Sequence, residues 1–276
     1  LIDLGSFTTS DFGKTVRQDF DRRRGFMFAH AERVALSGGE SLEGRKLGHP
    51  EFEDLRLGEQ RTAPMVAVFL DLTNFTGRTF WDDSSETADL AHAVLSGFVE
   101  TVVRFGGHPL GLRGDGLFAG FSPGDPKFTA LMALSACGFA LNAVEEAVNP
   151  WLRQRGKQPV QARAGVDMGD ITFVRSGFSG SSEINPIGFA ANFAAKCEKT
   201  AKSWEIVVGQ GVADLWPDLK DFTQHEQSPK RYTRDYETVS YHFYDYNWRA
   251  SRADLDGVPA VLAGTATSAI TRTKGY

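Results

Sequence analysis

Cysteine is nearly absent from this chain: two, Cys137 and Cys197, occur in 276 residues. Both fall in helical patterns and neither stands in metal-ligand spacing. Two thiols make no disulfide framework, so a reducing, cytoplasmic compartment is the expectation. Long apolar runs are also missing. No stretch approaches the ~18 residues of a membrane span, and the longest candidate, residues 130–144, is interrupted by Ser135, Gly138 and Asn142 and reads as a buried helix. The N-terminus lacks the charged-then-apolar order of a signal peptide. Positive charge is not in surplus: 30 Lys and Arg stand against 35 Asp and Glu, a net −5. That argues against a general nucleic-acid binder but leaves room for a local basic pocket around a phosphate-bearing small molecule. The six histidines, His30, His49, His92, His108, His225 and His242, show no metal spacing and accompany no nucleophile motif. They read as structural or surface residues. No membrane and no nucleic acid are expected as partners.

What is present suits one α/β or α+β domain with a sizeable core: 41% hydrophobic and 24% charged residues. Apolar spacing predicts a helix over residues 20–36, and Pro64 punctuates the chain before a strand at 65–70. A helix capped by Ser85 spans 85–105, followed by a hairpin of 108–112 and 117–121 with Gly-Asp-Gly at its turn. A long helix covers 125–147 and closes at Asn149-Pro150. Strands are expected at 160–167 and 171–174, separated by Gly169-Asp170, then a Gly/Ser loop at 176–182 and a helix over 189–200. A strand at 205–208, a helix at 211–215 and a terminal strand at 238–246 complete the pattern. The order is a ferredoxin-like βαββαβ core with additional C-terminal strands. Residues 1–64 read as an N-terminal extension packing on a domain of residues 65–250, and residues 251–276 as a loosely ordered tail. Trp204 and Trp248 read as packing residues.

The stretch MVAVFLDLTNFTGRTF, residues 65–80, delivers Asp71 at the end of a buried strand, into a Thr-Asn-Phe-Thr turn. Asp115 sits in the hairpin stretch RGDGLF. In a β-α-β-β core these two carboxylates can be neighbours, and they repel unless cations lie between them. Oxygen ligands of this kind suit magnesium or manganese. A strand-to-helix turn beside them presents N–H groups that suit phosphate oxygens. The alternative is that Asp71 caps its turn and Asp115 is an ordinary Asp-Gly hairpin residue.

Four stretches in order carry a resemblance. FLDLTNFT (69–76), RGDGLFAGF (113–121), RAGVDMGDI (163–171) and INPIGFAANFAAKCEKTA (184–201) resemble the motifs of the class III nucleotidyl cyclases, with Asp167 where that family usually has histidine. The resemblance implies that Asp71 and Asp115 hold two divalent ions (manganese or magnesium), with a backbone carbonyl of Leu72 added. It implies that amides of Asn74, Phe75 and Thr76 hold the β- and γ-phosphates. Asn192 aligns with the asparagine that orients the ribose, and Lys196 falls where the family has a phosphate-stabilising arginine. The two lie at i, i+4 on one helix face. One of Lys230, Arg231 and Arg234 would contact the triphosphate, or all three belong to a solvated loop. The family builds each active site from two chains, so a homodimer is implied.

The purine-reading positions are altered: Gly111 stands where adenylate cyclases have lysine, and Asn185 where they have aspartate. Asn185 carries a donor and an acceptor that suit the O4/N3 edge of uracil or the N4/N3 edge of cytosine. Arg113 is a further charge near that pocket. This pattern resembles the pyrimidine cyclases of bacterial Pycsar antiphage defence. It implies a UTP or CTP substrate, with UTP favoured by family prevalence alone, and a cyclic product that activates a separate effector protein. An adenylate cyclase with unorthodox base contacts and a non-catalytic nucleotide-binding module remain alternatives. A diguanylate cyclase would carry a G-G-[DE]-[DE]-F hairpin, which is absent.

Overall fold

A computed structural model of the chain describes residues 7–33, 47–122, 124–217 and 220–262. Helix α1 (Thr9–Arg33) leads to strand β1 (Gln60–Thr73), then α2 (Phe75–Trp81) and α3 (Ser84–Arg104). The hairpin β2 (His108–Arg113) and β3 (Gly116–Phe121) is followed by α4 (Pro126–Ala143), a π-turn at Val144–Val148 and α5 (Asn149–Gln154). Then come β4 (Gln161–Phe178), β5 (Ser181–Ile187), α6 (Phe189–Thr200), β6 (Ile206–Gly209) and α7 (Gln210–Ala213). Strands β7 (Phe222–Gln224), β8 (Lys230–Arg234), β9 (Glu237–Tyr241) and β10 (Phe243–Tyr246), a 3-10 segment at Trp248–Gly257 and α8 (Val258–Leu262) complete it. The main sheet runs β2-β3-β1-β4-β6-β10-β7, with β5 on the outer half of β4. Strands β1 to β4 with α3 and α4 make the ferredoxin-like βαββαβ core, and the fold is α+β.

Strict alternation along β1 and β4 divides the molecule into two layers. Val66, Val68, Leu70 and Leu72 of β1 join Ala162, Ala164 and Val166 of β4 in the large core under α1, α3 and α4. Met65, Ala67 and Phe69 face the other way, into a smaller core with Ala191 and Ala194 of α6. The register pairs Phe69 with Gly165 and Asp71 with Arg163, so these residues share the α6 face. Gly165 makes that layer thin: a Cβ there would lie 2.1 Å from the Glu198 backbone nitrogen and 2.2 Å from the Ala194 oxygen. Backbone cannot rotate away, so Gly165→Ala is expected to lift α6 and cost ~3 kcal/mol in denaturant unfolding. Gly111→Ala, which meets nothing within 4 Å, is expected to change stability by less than about 0.5 kcal/mol. Equal effects from the two would refute this close packing.

Several expected boundaries shift, each for a local reason. Strand β1 begins before Pro64, because there it pairs only with β4; its ladder with β3 starts at Val66, so no sheet hydrogen bond is lost on that side. Asp83, not Ser85, caps α3 and accepts from the Glu86 N–H. The 126–154 helix does not close at Pro150: the π-turn re-phases it and Pro150 sits in the first turn of α5, where its N–H is not needed. That span is long and apolar enough to cross a membrane, yet 72% of its most apolar 18-residue window is buried inside the fold.

Strand β4 runs unbroken through Gly169-Asp170 because β1 is long enough to pair along it from Gln161 to Val174. The Gly/Ser stretch is mostly strand, the tip of the β4–β5 hairpin. The terminal strand splits at His242, β9 pairing with β8 and β10 entering the main sheet. Helix α1 starts at Thr9 and buries Phe12, Val16 and Phe20. The side chains of the expected face at Phe26, Phe28 and Ala29, and residue Val34, lie outside what is described. The expected loose tail is packed as far as Leu262: Leu255 is buried beside Gly138, and Arg249 pairs with Glu145. Residues 263–276 lie outside the described residues. Trp248 is buried, its Nε1–H donating to the Trp204 carbonyl.

Candidate active site

Asp71 is the last residue of β1 paired with β3, opposite Gly116, and faces the α6 layer. A Cβ on Gly116 would sit 2.9 Å from Asp71 Oδ1, so the glycine makes room for the carboxylate. Arg163, directly across on β4, donates from Nε (3.2 Å) and Nη2 (2.9 Å) to Asp71 Oδ2. Its Nη2 also lies 2.6 Å from Glu198 Oε1 of α6, and Nη1 donates to the Ala201 carbonyl at 3.3 Å. Burial first, and then the charge of Asp71, hold Glu198 up to about 7.

Asp115 occupies the β2–β3 turn, where Gly114 takes a positive φ of 62°. Burial raises its carboxyl above the usual range, and the charge of Asp71 raises it further. The two carboxylates are therefore electrostatic neighbours. The donor set fits hard divalent cations: it is all oxygen, half-buried and mutually repelling, and Arg163 occupies Oδ2 of Asp71 alone. Leu72, one residue on, pairs with Ala162 and buries its side chain in the larger core.

Asn74 makes the turn out of β1 with φ 58°, a left-handed conformation asparagine tolerates. Phe75 is buried and opens α2, so the first amides of that helix, Thr76 among them, have no partner within the helix. Gly111 lies on β2 opposite Phe118, with open space where a side chain would be. Arg113 is exposed at the end of β2, and Asn185 is half-buried on β5 opposite Val174.

Helix α6 sends its residues two ways. Ala190, Ala191, Phe193, Ala194, Cys197 and Glu198 are buried, whereas Asn192, Lys196 and Lys199 share the exposed face. Lys196 Nζ donates to Tyr232 Oη at 2.9 Å and lies over that ring, 4.9 Å from its centroid. Lys196, Lys199, Thr200, Lys230, Arg231 and Tyr232 line an open groove of about 420 Å³. Arg234 lies further along β8, exposed and paired with Asp235. Among the described residues, no hydrogen bond or ion pair joins this groove to Asp71 or Asp115.

Sequence reasoning missed Lys199 and Tyr232 in the groove. Lys199 was signalled by its spacing of three from Lys196 and seven from Asn192. Nothing local signalled Tyr232. The link of Arg163 and Glu198 to Asp71 was also missed, and only strand register reveals it.

One cluster of potential metal ligands occurs elsewhere among the described residues: Glu205, His225 and Asp245. His225 Nδ1 accepts the Gln227 N–H at 3.0 Å. The ring proton therefore lies on Nε2, which is 3.9 Å from Asp245 Oδ1, beyond hydrogen-bond reach. With Nδ1 already accepting a backbone N–H, the ring is not arranged like a ligating histidine, which donates from its second nitrogen. His49, its ring tilted against those of Phe52 and His108, is held down to about 4, by burial first, and stays neutral.

No family model matches the chain. A curated relative, a cytidylate cyclase of Escherichia coli, is 23% identical over 202 residues. The match takes in 68% of this chain and 44% of that protein, so the chain spans less than half the length of this relative. The adenylyl cyclase CyaB of P. aeruginosa superposes with a TM-score of 0.58 at 19% identity, over 68% of this chain and 95% of that one. The guanylyl cyclase Cya2 gives 0.56 at 18% identity, over 69% and 94%.

Proposed function

We propose that this chain, which has the fold of the class III cyclase catalytic domains and resembles their pyrimidine-specific members, converts a pyrimidine nucleoside triphosphate to its 3′,5′-cyclic monophosphate and pyrophosphate. The observation that carries the reading is the convergence of Asp71 and Asp115: strand pairing sets Asp71 opposite Gly116, the residue after Asp115, the charge of Asp71 acts on the Asp115 carboxyl, and Arg163 holds one oxygen of Asp71. These carboxylates, with the Leu72 carbonyl, would hold two divalent cations, manganese or magnesium. Such ions, when bound, neutralise charge at the α-phosphate and acidify the ribose 3′-hydroxyl.

The residues of the chain divide the remaining work. Amides at Asn74, Phe75 and Thr76 hold phosphate oxygens at the start of α2. Asn192 orients the ribose. Lys196, steadied by Tyr232, places a positive charge beside the α-phosphate as the 3′-oxygen bonds to phosphorus and the bond to pyrophosphate breaks. Lysine supplies the charge as a point, without the bidentate fork of arginine. Lys199, Lys230 and Arg231 add cations for the leaving pyrophosphate. The carboxylates and the Asn192 face of α6 point to different surroundings in one chain, which supports a homodimer whose sites each take the two halves from different protomers.

Gly111 offers no donor to a purine, and Asn185 offers a donor and an acceptor to a pyrimidine edge. The name of the curated relative supports cytidine as the base; the preference for UTP rested on family prevalence. Resemblance to the defence cyclases supports a product that activates a separate effector against phage. The test is incubation of the purified chain with each of the four ribonucleoside triphosphates and manganese, read by mass spectrometry. A cyclic pyrimidine monophosphate with pyrophosphate is expected. Cyclic AMP as the main product overturns the base reading, and no product from any nucleotide overturns the enzymatic one.

A further inference from the structure

Among the described residues, the hairpin β8–β9 is a separate two-stranded sheet that pairs with no strand of the main sheet. Such a hairpin holds little shape by itself, yet it carries Lys230, Arg231 and Tyr232 of the basic groove. Something must fix it against α6. Tyr232 reaches the groove side, touching Lys196 and the edge of Phe189. Tyr241, at the end of the ladder and paired with Lys230, points inward. Its ring meets Phe189 and Phe193 edge-on, at 4.8 and 4.6 Å between centroids. Its hydroxyl donates to the Asp167 carboxylate, 3.1 Å from Oδ2, and accepts the Gly211 N–H at 2.9 Å.

Asp167 is fully buried in the middle of β4. It also accepts the Gly211 N–H at 3.2 Å. Two glycines clear its surroundings: a Cβ on Gly209 would lie 2.4 Å from its Cγ, and one on Gly211 3.0 Å from its Oδ1. The other titratable groups that act on or feel this carboxylate are Asp214, just beyond α7, and Cys197 of α6. Burying a carboxylate without a cation is costly. What the position gains is a directional link between the core strand and the hairpin.

We propose that Asp167 and Tyr241 are positioning residues: their buried hydrogen bond sets the basic hairpin against α6 and so shapes the groove for the triphosphate. This rests on the reading of that groove as the triphosphate site. A shift of Tyr241 is passed across the ladder to Lys230 and to its neighbour Arg231, opposite Ser240.

The test compares Tyr241→Phe, Asp167→Ala, Asp167→Asn and Arg231→Ala in the full chain. Binding of inorganic tripolyphosphate is measured by calorimetry, and amide exchange by mass spectrometry. Tyr241→Phe and Asp167→Ala are expected to weaken tripolyphosphate about tenfold, the loss of one hydrogen bond to a carboxylate. Amides of residues 230–241 should exchange about tenfold faster, while those of β1 and β4 stay protected. Asp167→Asn keeps a donor and an acceptor and should retain binding within about twofold. If Arg231→Ala weakens binding while Tyr241→Phe and Asp167→Ala bind and exchange like the parent, the anchor is refuted. If Arg231→Ala binds as tightly as the parent, the groove is no polyphosphate site and the reading beneath the proposal falls with it.

Discussion

Asp71→Asn and Asp115→Asn are each expected to cut cyclic-nucleotide formation by at least about 10³-fold, an increase of ~4 kcal/mol in the barrier. The fold should survive, because neither carboxylate is a core residue: Asp71 borders the solvent-facing end of β1, and Asp115 lies in a turn. The amide introduced by Asp71→Asn would still present an oxygen to Arg163, so the change removes charge with little change in shape. Asp115→Asn would relieve a desolvated carboxylate and should leave thermal stability equal or slightly higher. The measurements are product formation by mass spectrometry, manganese binding by paramagnetic resonance, and thermal unfolding. Weakened manganese binding at an unfolding temperature no lower than that of the parent is the expected pattern. Turnover within tenfold of the parent in either variant would end the two-metal assignment.

Stability is expected to fall as pH rises from about 4 to about 8, with Asp167 contributing ~4 kcal/mol of that fall. Burial holds its carboxyl up from 3.8 to about 7. Between those values the folded chain keeps a proton that the unfolded chain has released, so folding binds a proton and is favoured by acid. Above about 7 both states are ionised and the full desolvation cost of the buried charge is present. Glu198, also held up to about 7, adds a slope of the same sign, and Asp11, lowered to about 2 by its hydrogen bonds to Lys14 and Thr8, adds one of the opposite sign at lower pH. The difference between parent and Asp167→Asn isolates the single group. Denaturant unfolding of both across this range should show the variant gaining on the parent as pH rises. Parallel curves would mean that Asp167 titrates in its ordinary range.

Local chemistry in the sequence determined the parts of the fold that depend on neighbours in the chain. The apolar run ending in Asp71, the Gly-Asp-Gly turn and the polar face of α6 all follow from spacing within a dozen residues, and α6 itself begins and ends at the expected positions. The βαββαβ order is legible for the same reason: each strand and helix announces its own period. Tertiary structure alone decided what depends on pairing at a distance. Pro64 sits within β1 because the β3 ladder starts two residues later, and β4 passes Gly169 because β1 is long enough to hold it straight. Register, not sequence spacing, sets Arg163 opposite Asp71. It also puts Asp167 on the α6 face, and the course of the chain through β9 brings Tyr241 to it across 74 residues. A side chain's own identity sets its local conformation, but its partner is set by the sum of strand pairings between them, and no short window of sequence contains that sum.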